Sequence, residues 1–259
     1  MSCSNKFISL STSGLDIGYN NQPALIRNLS FYLTHGDIVA VIGHNGSGKS
    51  TFVKTILGIH SAIKGHLMWA NHRPHNIAYL GQLTEFDRNF PIQVKDLVAM
   101  GAWKSLGFFG TIDEKQQRLI KNALEQTGIS DIAKKPIYEL SSGQLQRTLF
   151  ARTIVQNAEL ILLDEPLTAI DQTTQTHLLD LIDTWAIEKR MVILVMHDVS
   201  AALHHCTKAL LLGAGKACFG TPREILTPQN LIAHGYMSES QSNWIKQMYQ
   251  TSPTVEEVL

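Results

Sequence analysis

Ile38-Val39-Ala40-Val41-Ile42 followed by Gly43-His44-Asn45-Gly46-Ser47-Gly48-Lys49-Ser50-Thr51 is the stretch that decides the fold. An unbroken aliphatic run of this length reads as a strand buried on both faces, as in a parallel sheet. The residues after it carry the spacing G-x-x-x-x-G-K-[ST], from Gly43 to Ser50. Glycines let the backbone turn tightly, so that successive N–H groups point inward at phosphate oxygens. The helix that follows places Phe52, Val53, Ile56 and Leu57 on one side and stops at Gly58. Its positive end adds to the field over the loop. Lys49 can then reach the β- and γ-phosphates of a nucleotide, and Ser50 can ligate Mg²⁺.

Outward from this loop lie three more runs of the same kind: Ile77–Leu80, Leu160–Leu163 and Val192–Met196. Each ends near a polar residue with chemical potential, Gln82, Asp164 and His197 respectively. Open α/β sheets bind ligands at the carboxyl ends of their strands, so the four ends are expected to converge. Glu159-Leu160-Ile161-Leu162-Leu163-Asp164-Glu165-Pro166 sets two carboxylates at the end of one such strand. Asp164 would hold Mg²⁺, and Glu165 would polarise an attacking water as general base. A loop with two merely solvated acids fits an apolar strand poorly.

The rest of the chain is punctuated consistently. Asp113 is placed to cap a helix running to Thr127, with Leu119, Ile120, Ala123 and Leu124 as its apolar stripe and Gly128 closing it. Residues 88–157 are mostly helical in pattern with no core strand, which predicts an inserted helical subdomain. The first 37 residues alternate and carry the turn signals Asn20-Asn21 and His35-Gly36-Asp37, as antiparallel strands do. The expected organisation is an α/β core with antiparallel strands over 1–87, the helical subdomain over 88–157, the rest of the core over 158–235 and a C-terminal tail over 236–259, its last ten or so residues loosely ordered.

Composition excludes several classes. Formal net charge is zero, so no nucleic-acid footprint is present. No apolar run approaches the roughly 18 residues that span a bilayer, and the start of the chain does not read as a secretory leader. Cys3, Cys206 and Cys218 form no C-x-x-C pair, which suits a reducing compartment. His60, His66, His72 and His75 fit no metal-ligand spacing, and consecutive His204, His205 and Cys206 do not share a helix face.

Leu140-Ser141-Ser142-Gly143-Gln144-Leu145-Gln146-Arg147 resembles the signature sequence of ABC-transporter ATPases. Together with the glycine loop the resemblance extends over nearly the whole chain. Tyr19 is similar to the aromatic that stacks on adenine, and Gln82 to the glutamine that senses Mg²⁺ and the permease. Ala169-Ile170-Asp171 resembles the loop that crosses between subunits, and His197 the switch histidine at the γ-phosphate. The resemblance implies a P-loop NTPase (RecA-like) core that hydrolyses ATP with Mg²⁺. It implies a second copy of the chain whose Ser141, Ser142, Gly143 and Gln144 face the nucleotide held by the first. It also implies an integral-membrane permease, a solute-binding protein outside the membrane, and residence at the cytoplasmic face of the inner (plasma) membrane.

The family usually has glycine where this chain has Ser142. In a left-handed backbone serine would cost on the order of 1 kcal/mol; in a first helical turn it would cost little. Residues 82–110, including Asp87-Arg88-Asn89-Phe90-Pro91-Ile92 and Gly107-Phe108-Phe109, look like the corresponding segment of zinc and manganese uptake ATPases, which implies import of one of these ions, zinc ahead of manganese. Residues 83–103 are expected to dock the permease. Iron–siderophore and vitamin importers share part of the pattern. A non-transport ABC ATPase would carry a coiled-coil insert or a second cassette, neither of which is seen. A regulatory module that only holds ATP would not need Glu165 and His197.

Overall fold

The computed structural model describes residues 7–19, 22–83, 86–106 and 111–238. In chain order the elements are β1 (Ser9–Ile17), β2 (Ile26–Thr34), β3 (Ile38–Gly43), α1 (Lys49–Leu57), β4 (Lys64–Ala70) and β5 (Ile77–Leu80). Then come α2 (Val94–Ala99), α3 (Trp103–Leu106), α4 (Glu114–Gln126), α5 (Ser142–Gln156), β6 (Leu160–Asp164) and α6 (Gln172–Ile187). The chain continues through β7 (Met191–Val195), α7 (Val199–His205), β8 (Lys208–Gly213), β9 (Lys216–Gly220), α8 (Pro222–Ile225) and α9 (Pro228–Ala233). Contacts divide it into two compact units, one of Pro74–Thr184 and the other of the chain before and after that segment.

The discontinuous unit holds an antiparallel sheet of order β2-β1-β4. Its strands alternate in burial, with Leu10, Leu15, Ile17, Leu29, Phe31 and Leu33 inward. The turn at His35-Gly36-Asp37 forms as expected, with Asp37 Oδ2 accepting from Thr34 N at 2.8 Å. In the same unit β3 lies between β7 and β8, both parallel to it, and β9 returns antiparallel to β8. β3 and β7 are buried at every residue, as their unbroken aliphatic runs require. β7 begins one residue earlier than its apolar run suggests, and Met196 still donates its N–H to Val41 O at 3.2 Å. α1 buries Phe52, Val53 and Ile56, each contributing roughly 1.5–3 kcal/mol if fully removed from water. Phe31 joins the layers, its ring centroid 5.9 Å from Phe52 and 5.4 Å from Phe219.

In the continuous unit β5 and β6 are parallel, with Leu80 opposite Leu163. Between them in sequence come α2, α3, α4 and α5. Val94, Leu97, Val98, Leu145, Leu149 and Phe150 supply its core. Asp113 caps α4 in a reciprocal capping box with Gln116. The apolar stripe of α4 needs correction: Ala123 and Leu124 are buried, but Leu119 is 39% exposed. Leu119 lies about a quarter-turn off the face defined by residues 120, 123, 124 and 127. Gly107-Phe108-Phe109, the Asn20-Asn21 turn, Cys3 and residues 239–259 fall outside the described residues.

Candidate functional site

The glycine loop leaves β3 at Gly43 and enters α1 at Lys49. Gly46 and Gly48 sit at φ 81° and 99°, conformations closed to most side chains, and these turn the backbone tightly between β3 and α1. Gly48 is the N-cap of α1 and brings no capping side chain to that end of the helix. Ser47 is 6% exposed, and its hydroxyl has no hydrogen-bond partner among the described residues. Lys49 is equally buried, and its Nζ donates to Gly43 O at 2.9 Å and His44 O at 3.2 Å, which holds the ammonium across the loop. An orphaned buried hydroxyl and a pinned cation at the start of a helix fit an anionic phosphate chain. Ser50 and Thr51 occupy the first turn of α1. Asn45 accepts through its carbonyl from His44 Nδ1 at 2.8 Å, and His44 is exposed at the loop's edge.

Tyr19 is 46% exposed, with its hydroxyl 3.5 Å from Thr51 Oγ1 and its ring edge-on to His60. Tyr19 therefore stands beside the start of α1. His197 follows β7, whose Val195 pairs with Val41 of β3, so the glycine loop and His197 leave neighbouring parallel strands at the same end. Asp198 caps α7 by accepting from Ala201 N at 3.1 Å.

In the continuous unit, Gln82 follows β5 and Asp164 ends β6, again at the carboxyl ends of paired strands. Asp164 is 1% exposed. Glu165 has φ 56°, a left-handed conformation worth roughly 1–2 kcal/mol of strain for a residue with a Cβ. The turn holding it is pinned from α5. Gln146, 1% exposed, donates from Nε2 to Pro166 O at 2.9 Å and lies 3.5 Å from Glu165 O. The sequence quotes Gln146 inside the signature but does not disclose this role; its burial despite a polar side chain is the signal.

Ser141 is the N-cap of α5, in a reciprocal capping box with Gln144. Ser142 is the first helical residue, and its backbone is not left-handed, so serine in place of the family's glycine costs little here. Its hydroxyl accepts from Arg88 Nη2 at 3.1 Å, a bond glycine could not make. Gly143 is different. A Cβ there would lie 2.7 Å from Ala169 O, and Ala169 itself has φ 61°. A surface hollow of about 400 Å³ lies between Ser141–Gln144 and Ala169–Asp171. Asp171 caps α6, accepting from Thr174 N at 2.9 Å. The Thr174 hydrogen bonds, helped by the nearby Arg147 charge, hold its carboxyl below the usual range.

A glycine loop pinned by lysine between a buried strand and a helix defines the chain as a P-loop nucleotide-binding α/β protein. Residues 26–168 match the ABC transporter family. The chain is 31% identical over 229 residues to the chelated iron transport system membrane protein YfeB of Yersinia pestis, covering 86% of this chain and 77% of that one. It is 31% identical over 230 residues to the manganese transport system ATP-binding protein MntA of Synechocystis, covering 86% and 88%. An ABC transporter solved in an inward-facing conformation superposes with TM-score 0.77 at 33% identity, over 89% of this chain and 90% of that one. The chain belongs to the ABC transporter family, and its activity is ATP hydrolysis coupled to transport. No helix among the described residues is long and apolar enough to cross a membrane.

Proposed function

We propose that this chain energises import of a transition-metal ion, manganese first, through a separate membrane permease. The single observation that carries the ATP site is the pinned Lys49 over a loop whose Ser47 hydroxyl is buried without a partner. In this reading N–H groups of Gly46–Thr51 and the Lys49 ammonium bind the β- and γ-phosphates, and Tyr19 stacks on adenine. Ser50, Asp164 and Gln82 offer hard oxygen donors of the kind Mg²⁺ prefers, which is why we assign them to it. When bound, Mg²⁺ supplies charge neutralisation at the β- and γ-phosphate oxygens. Glu165 accepts the proton of the attacking water, and His197 contacts the γ-phosphate.

Assembly follows from the motif count in the sequence. With one glycine loop and one signature, a complete site needs a second copy, whose Ser141, Ser142, Gly143 and Gln144 would meet the nucleotide across a two-fold interface. Asp171 would lie at that interface, and residues 83–103 would dock the permease at the cytoplasmic face of the membrane. A solute-binding protein on the far side would deliver the metal. The subdomain limits of 88 and 157 belong to the same proposal.

Manganese is supported by the name of the Synechocystis relative, and chelated iron, the second reading, by that of the Yersinia one. Uptake of radiolabelled Mn²⁺ against a ferric chelate by the assembled transporter separates them. The ATPase reading is tested with Glu165→Gln, which keeps the side chain's shape and removes its basicity. Turnover should fall by about 10² or more, the scale of a lost general base. Size-exclusion chromatography with ATP and Mg²⁺ should show a stable dimer. Unchanged turnover would refute the role of Glu165, and lost turnover without a dimer would refute self-pairing.

A further inference from the structure

The turn His234-Gly235-Tyr236, immediately after α9, reaches loops that leave three different strands of the discontinuous unit. The Tyr236 hydroxyl donates to the backbone carbonyl of His197, which follows β7. A Cβ on Gly235, whose φ is 66°, would sit 3.9 Å from His44 Cδ2, in the glycine loop after β3. His234 O packs so closely on Gly213, the end of β8, that a side chain there would collide with it. The turn is itself held firmly. His234 is 3% exposed, its Nδ1 lies 2.8 Å from Asn230 O, and its Nε2 lies 3.5 Å from Cys218 Sγ.

These contacts gather the carboxyl ends of β7, β3 and β8 onto one short piece of chain, and two of those ends carry residues assigned to the γ-phosphate side of the site. Burial of the ring, with the Asp198 charge nearby, pushes the Tyr236 phenol above its ordinary range and keeps it a neutral donor. We propose that Tyr236 is a positioning residue for hydrolysis: its hydrogen bond to the His197 carbonyl fixes where the imidazole stands relative to the γ-phosphate. Tyr236 itself touches no nucleotide. The proposal rests on the role given to His197 above.

The mechanism predicts a particular kinetic pattern. Nucleotide affinity is set by the glycine loop and Lys49, so loss of the Tyr236 bond leaves it alone. Turnover depends on the fraction of time His197 is in register, and losing one hydrogen bond of ordinary net strength reduces it about tenfold. The effect passes through His197 and nowhere else.

The test is a double-mutant cycle on the full chain with Tyr236→Phe and His197→Ala, measuring kcat, KM for ATP and thermal melting. Tyr236→Phe is expected to lower kcat about tenfold with KM within about twofold. In the His197→Ala background it should have no further effect. Additive losses, or a loss that follows a fallen melting temperature, would show a structural role and overturn the proposal. Wild-type turnover in Tyr236→Phe alongside a crippled His197→Ala would overturn it and leave the ATPase reading standing. Wild-type turnover in His197→Ala would instead remove the role of His197 and the proposal with it.

Discussion

Gly143→Ala offers a test of how the signature helix meets the loop after β6. At the second position of a helix, replacing glycine with alanine normally stabilises by about 1 kcal/mol, through higher helix propensity and a less mobile unfolded chain. Here the added Cβ would lie 2.7 Å from Ala169 O, well inside van der Waals contact. The obstacle is backbone, and it cannot rotate away as a side chain would. Ala169 is held at φ 61°, and its neighbour carbonyls at Leu167 and Ile170 accept from Gln175 Nε2 at 3.1 and 2.9 Å. Overpacking against a fixed wall costs about 3 kcal/mol, so the net loss should be about 2 kcal/mol once the propensity gain of about 1 is set against it. For a chain of this size that lowers the melting temperature by about 4–8 °C. Ser142→Gly next door is the control: it loses only helix propensity, roughly 0.5 kcal/mol, and the Arg88 bond. Calorimetry on both variants decides the matter. A Gly143→Ala protein as stable as wild type would mean that α5 and the 169–171 loop do not approach as described.

Glu165→Gly should abolish turnover while leaving the melting temperature unchanged or raised, because relief of left-handed strain of about 1 kcal/mol offsets glycine's entropy; a clear fall would argue that the Glu165 side chain is structural. Asp171 gives a pH test. Its folded pKa is depressed, so its contribution is present above the unfolded value of about 3.9 and lost as pH falls through the folded one. The stability gap between wild type and Asp171→Asn, from urea midpoints, should therefore be present at pH 7 and close on acidification; a gap constant with pH would contradict the Thr174 bond.

Much of the site could be read from residues in order. Ile38–Ile42 and its glycine loop fix a strand, a turn and a helix through local chemistry: unbroken aliphatic burial, left-handed glycines, and a lysine whose Nζ reaches back to Gly43 O and His44 O. Leu160–Leu163 with Asp164 and Glu165 works the same way, as does the Asp113 cap. Helix periodicity also marked the helices that lie between β5 and β6 in sequence. None of this needs knowledge of distant contacts, because each feature is dictated within a few residues of itself.

What tertiary structure decided is everything that depends on where one backbone stops another. Spacing says nothing of how much room surrounds position 143; only the nearness of Ala169 O makes a side chain there costly. Leu119 fits an apolar stripe by spacing, yet the packed face of α4 passes it by. Gln146 holding the Glu165 turn, Arg88 reaching Ser142, and Tyr236 reaching His197 join residues 19, 54 and 39 positions apart, and no local pattern announces them. The sequence by itself set which residues are proposed to carry the chemistry, since that reading rests on short-range sterics, spacing and motif. The fold decided how those residues are held, since hydrogen bonds to backbone carbonyls form only once the strands and helices that carry them have packed.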